Sequence, residues 1–484
     1  MKIKRKSRFL APAAAALAML PLAAQALDVR EARNKEGRTA FEVRFFGPGD
    51  GPYFVLDGET PETSTFTLDA AQQQKIMAGL ELWADILALP PDHVPAIINV
   101  GTFEDLNAGA YSPPYKVAGQ EVESTLLQAA MNGGARDGAF AHAFISVGRL
   151  DFDMLDYVPS QLARDPGKVD FSAVIFHELG HALGIANNVE DKTEGVPTPH
   201  FGATLNQWSA HLRDDNGNPA RPGQAVLCQG CQNAGSGDAF DVRQDKGYFT
   251  GAHVQEVLAG AMPGLPVRML SDGELDDDYM SHIELRNSLM SHQAYRNYVN
   301  FMEAELAALQ DMGLQIDRRN FYGYSVYGDD QVLDNRNPYA GRNADGTAYV
   351  AGTYNTATLG LGLHVYGERN RINQQADLLT VGGGAAGVRV DGSGNALTIA
   401  SGTRVHANGW NGRGVMFSYG KDHTLNVRGD VQALGQDGIA LAFDFGNNSM
   451  GSADEYRGSY IRQSEDEGAL PLLPELEGAL LRRG

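Results

Sequence analysis

The residues best suited to chemistry are His177-Glu178-Leu179-Gly180-His181, two histidines four positions apart with a carboxylate beside the first. On an α-helix, residues four apart lie on one face, so both imidazoles can offer a nitrogen to the same ion. Zinc suits such nitrogen ligands and in hydrolytic sites takes three protein ligands while keeping one position open. Glu178 is then placed to take a proton from a polarised water and pass it to a leaving amine. The chemistry implied is metal-assisted hydrolysis of a peptide bond. The third ligand must come from elsewhere, and the spacing alone leaves several candidates: His200, His211, His282 and His292, or the nearer Asn187, Glu190 and Asp191.

That geometry requires a helix, and the segment 170–185 (DFSAVIFHELGHALGI) has the pattern of one. Asp170 can cap its start, and Val174, Ile175, Leu179 and Leu183 form an apolar stripe. Upstream, 41–46 and 96–100 read as strands and 68–87 as an amphipathic helix, while 141–147 reads as a strand at an edge or in the interior. Downstream, 187–278 is a long turn-rich excursion. Its Asp214-Asp215-Asn216-Gly217-Asn218 is turn chemistry and lacks the full spacing of an EF-hand calcium loop. A helix returns over 295–312 and stops at Gly313.

At 484 residues the chain exceeds one ordinary core, and 43% hydrophobic with 20% charged residues is globular composition. Its first 26 residues read as a secretory signal peptide: a basic stretch over 1–8, an apolar stretch over 9–22, and Ala24-Gln25-Ala26 as the cleavage pattern. The mature chain is therefore expected to be exported, with no membrane span. A net charge of −21 gives no electrostatic footprint for nucleic acid. The two cysteines, Cys228 and Cys231, are expected to close a small disulfide loop in an oxidising compartment. Beyond residue 355 the composition changes, and short β-type runs recur between glycines. Runs starting at Gly362, Gly387, Gly414 and Gly438 lie 25, 27 and 24 residues apart by subtraction. That period predicts a right-handed parallel β-solenoid, with an ordinary β-sandwich of hairpins as the alternative. The expected organisation is a signal over 1–26, a catalytic domain over 27–320, a linker over 321–355, a solenoid over 356–460 and a disordered tail over 461–484.

Gly184, three residues after His181, makes HELGHALG similar to the metzincin zinc peptidases, in which a glycine there turns the chain sharply out of the helix. Compact metzincins place a third histidine three residues later, where this chain has Asn187. Leishmanolysin-like metzincins instead separate the helix from the third histidine by a long insertion. The run Ser281-His282-Ile283-Glu284-Leu285-Arg286, then Leu289-Met290, then a final helix to Gly313 resembles their pattern. The resemblance implies an α+β metzincin-like catalytic domain, His282 as third zinc ligand, Met290 in a turn beneath the metal, and Tyr295 or Tyr298 near the reacting carbonyl. It also implies a protein or peptide substrate bound by strand addition. A signal, a peptidase and a Gly-rich solenoid together resemble Gram-negative autotransporter passengers, though no translocating β-barrel follows the solenoid. They imply an extracellular, outer-membrane-surface or periplasmic location. The competing expectation is a non-enzymatic, adhesin-like passenger with a vestigial metal site.

Overall fold

The apolar runs FEVRF, AIINV and AFISV are too short for helices and rich in branched and aromatic residues, and all three become strands of one sheet. The computed structural model describes residues 27–56, 60–105, 108–116, 119–134, 140–149, 152–153, 169–190, 198–231, 238–271, 273–276, 278–285, 288–291, 301–418, 422–443 and 480–483. The expected signal peptide lies outside them. The sheet's spatial order is Asp28–Arg33, Thr39–Phe45, Ala96–Thr102, Ala143–Val147, Ala108–Tyr111. The three middle strands run parallel and both outer strands antiparallel to their neighbours. Ala143–Val147 is thus interior; the edges are Asp28–Arg33 and Ala108–Tyr111, and the latter packs beside the HELGH helix.

Two helices lie against this sheet. Ala70–Ile86 starts with a reciprocal cap between Asp69 and Gln72. Phe171–Ala182 carries the HELGH residues, and its predicted stripe of Val174, Ile175, Leu179 and Leu183 is fully buried. Trp83 joins them: its indole Nε1–H donates to the Phe176 carbonyl at 2.9 Å, and its ring meets Phe176 and Phe301 edge-on or tilted at 5.3 and 4.8 Å. Phe301 leads into the closing helix Glu303–Asp311, so one aromatic cluster fixes three elements. The stretch expected as helix from 295 is described only from residue 301.

The excursion after the HELGH helix folds into short ladders and the helices Gln207–His211 and Ala252–Leu258. Asp214 is buried, and its carboxylate accepts from the Asn216 and Asn218 amides and from Asn218 Nδ2. Those oxygens serve a turn, in keeping with the turn chemistry of the segment. Cys228 and Cys231 form the expected disulfide.

The C-terminal half is a coil of stacked parallel strands in three sheets. Leu361, Ala386, Arg413 and Ile439 stand in register, matching the sequence period. At Gly387 a Cβ would come within 2.7 Å of the Gly414 carbonyl oxygen, so the repeated glycine is a requirement of close strand approach. The coil begins earlier than the sequence period indicates. Tyr322–Val326 and Val332–Asn335, in the stretch expected to be a linker, pair with Leu361–Val365 and Arg371–Gln374 as a first rung. Tyr322 pairs with Leu361, 39 positions on, because this rung carries a longer loop, and that hides it from a period near 26. Within the expected tail, Leu480–Arg483 pairs with Thr424–Val427. One apolar core runs from the N-terminal half into Tyr322, Tyr327 and Leu361, and a second fills the coil. No helix among the described residues is long and apolar enough to cross a membrane.

Candidate metal centre

Leaving the HELGH helix requires a left-handed residue, and Gly184 supplies it at φ +115°. The Ile185 amide donates to the Gly180 carbonyl at 3.2 Å and the Gly184 amide to the His181 carbonyl at 2.9 Å, a Schellman ending. This turn folds the Ile185 carbonyl back onto the helix, where His181 Nδ1 meets it at 2.6 Å. The glycine therefore orients a histidine as well as ending a helix.

His282 arrives from 101 positions beyond His181 in sequence, at the end of the short 3-10 turn Tyr279–Ser281. Two contacts hold that turn. Trp208 Nε1–H donates to the Met280 carbonyl at 2.8 Å, and Asn187 donates from both its amide and its Nδ2 to Ser281 Oγ at 3.0 and 2.9 Å. Asn187 thus secures the turn that carries His282.

The three imidazoles converge. His177 Nε2 lies 2.9 Å from His181 Nε2 and 3.3 Å from His282 Nε2. Their opposite nitrogens each face a backbone carbonyl: His177 Nδ1 to Leu289 at 2.7 Å, His181 Nδ1 to Ile185 at 2.6 Å, His282 Nδ1 to Asp278 at 2.6 Å. A carbonyl only accepts, so each Nδ1 carries the proton and each Nε2 turns a lone pair inward. Three lone pairs aimed at one point repel unless a cation lies between them. Zinc–nitrogen bonds of about 2.0–2.1 Å at tetrahedral angles separate ligand nitrogens by about 3.3 Å, close to what is seen here. His177 and His282 are buried and His181 is half-buried, which leaves one open side. Glu178, next on the helix, is half-buried.

The Met290 turn lies beneath the helix. A Cβ on Gly180 would come within 2.5 Å of Met290 Sδ, so the glycine inside HELGH makes room for a fully buried thioether. The neighbouring Leu289 carbonyl is the one that orients His177. Glu305 of the closing helix fastens this turn. Its fully buried carboxylate accepts from Ser288 Oγ at 2.5 Å, from the Met290 amide at 2.8 Å and from the Met302 amide at 2.7 Å. Burial pushes the Glu305 carboxyl above its usual range, against the pull of these donors.

His177, His181 and His282 therefore converge, Met290 packs against Gly180 of the same helix, and Cys228–Cys231 lies elsewhere as a loop closure. Among the described alternatives, His200 faces Glu190 at 3.5 Å, and His211 pairs with the Gln207 carbonyl and stacks on Phe249. Neither belongs to the cluster. His292, Asp191, Tyr295 and Tyr298 lie outside the described residues. Sequence reasoning missed Glu305 and the role of Asn187. A glutamate in AELAAL reads as a solvated face, and nothing local marks it as buried. Compared with known proteins, the chain matches no family model, no curated sequence and no solved structure.

Proposed function

We propose that the protein is an exported zinc endopeptidase of metzincin-like architecture. The observation that carries this reading is the convergence of three Nε2 atoms, each with its Nδ1 tied to a carbonyl, on a helix that also presents Glu178. Nitrogen-only donors at this separation fit zinc better than calcium or magnesium, which take oxygen ligands. When bound, zinc supplies a Lewis acid that polarises water and the scissile carbonyl. His177, His181 and His282 hold that ion with their protonated nitrogens turned away, so ligand orientation is set before substrate arrives. Glu178 is the general base: its carboxylate takes the proton from the attacking water and returns it to the leaving nitrogen. The edge strand Ala108–Tyr111, beside the HELGH helix, supports a substrate bound in extended form. Export rests on the basic and apolar N-terminal segment and fits the disulfide at Cys228–Cys231.

The test is cleavage of an unfolded protein by the chain from Leu27 onward, with zinc content measured in parallel. Glu178→Gln keeps its zinc and loses activity by about 10²–10⁴-fold. His282→Ala loses both. A wild-type protein that holds zinc and cleaves no unfolded substrate would sink the peptidase reading in favour of a non-enzymatic passenger.

A further inference from the structure

The closing helix caps itself only in part: Glu305 accepts from the N-cap amide of Met302, but no Met302 side-chain bond caps the first turn. Its N-cap position is Met302, which has no side-chain oxygen to accept from the free amides of the first turn. The stacked coil supplies that acceptor: the Ala304 amide donates to the Tyr327 hydroxyl at 3.1 Å, and Tyr327 is fully enclosed. Glu303, at the first helical position and 2% exposed, is held from the same side. Its Oε2 accepts from Ser325 Oγ at 2.6 Å and its Oε1 from Arg318 Nη1 at 2.9 Å, and Arg319 forms an ion pair with Oε1 at 3.1 Å. Ser325 and Tyr327 belong to the first rung of the coil and the turn that follows it. Two residues on from Glu303, Glu305 grips the Met290 turn, whose Leu289 carbonyl orients His177.

We infer that Ser325 and Tyr327 are positioning residues for the metal centre, so the first coil rung is part of the catalytic apparatus. This rests on the zinc reading above. The chain of contacts is continuous: Tyr327 and Ser325 fix the first helical turn, that turn fixes Glu305, and Glu305 fixes the acceptor of His177. Loss of the two hydroxyls lets the turn shift while leaving every zinc ligand in place. A partner that orients a ligand in this way is worth about 10-fold or more in metal affinity.

The experiment uses the full chain and compares wild type, Tyr327→Phe, Ser325→Ala/Tyr327→Phe and Val388→Ala. Val388 is fully buried in the coil's own core and serves as a control for general loosening. Zinc affinity is read by competition with a coloured chelator, and kcat and KM separately on an unfolded protein substrate. The expected result is about tenfold weaker zinc binding in the double variant, less in Tyr327→Phe, and a fall in kcat at constant KM. Val388→Ala should lower the melting temperature at least as much and leave zinc affinity unchanged. Tyr327→Phe removes one oxygen and nothing else, so it reports even where the double variant does not fold. Wild-type zinc affinity in the Tyr327 variants, or an equal loss in Val388→Ala, would overturn the inference. Zinc results as expected with no cleavage by any protein would leave the positioning role standing and remove the peptidase reading instead.

Discussion

The contact between Gly180 and Met290 sets the height of the whole turn beneath the HELGH helix, and a double-mutant cycle can measure it. In an exposed helix, glycine to alanine stabilises by about 1 kcal/mol. Here the added Cβ would come within 2.5 Å of Met290 Sδ and 2.9 Å of its Cε. Both partners are buried, so overpacking costs about 1–3 kcal/mol and Gly180→Ala should destabilise by about 0–2 kcal/mol net. Met290→Ala removes a fully buried side chain and should cost about 2–5 kcal/mol. In the double variant the alanine methyl enters space the thioether has left, and the clash disappears. The double should therefore be more stable than the sum of the singles by about 1–3 kcal/mol. Urea unfolding in excess chelator gives these values without a contribution from bound metal. Gly180→Ala should also weaken zinc about tenfold, because a displaced turn carries the Leu289 carbonyl away from His177. Additivity within about 0.5 kcal/mol would refute the packing argument.

Zinc at 1,000 times its dissociation constant should stabilise the wild type by about 4 kcal/mol. The accompanying rise in melting temperature should persist in His200→Ala and vanish in His282→Ala, and a reversal would reassign the third ligand. Acid should weaken the buried pair in the coil. Burial pushes the Asp391 carboxyl up, but Arg389 and His364 outweigh it and hold it at about 2, while burial pulls His364 below the usual imidazole range despite Asp391. A depressed carboxyl contributes fully above about pH 4 and loses that contribution as pH falls toward 2; a depressed imidazole costs stability once the unfolded chain protonates, below about pH 6.5. Unfolding midpoints should therefore fall more steeply with acid in wild type than in His364→Gln between about pH 6.5 and 5. Parallel slopes would show that His364 does not sit neutral in the fold.

Local chemistry was legible in the sequence wherever one short segment suffices. Histidines four apart, the glycine that ends their helix and the alternating runs of the sheet all depend on helical or strand periodicity, which is a property of neighbours along the chain. The solenoid period was legible for the same reason, and its first rung was hidden because Tyr322 and Leu361 lie 39 positions apart. Only tertiary structure could choose among the histidines. His200, His211 and His282 are alike in sequence, and the choice follows from Trp208 and Asn187 holding the 279–281 turn against the helix. The same holds for Glu305 and Tyr327. Each is an ordinary residue in its own segment. Their roles arise because burial removes water as a partner, so a carboxylate and a hydroxyl must find donors and acceptors on segments remote in sequence. The chain supplies the histidines; packing brings three of them together and sets their aim.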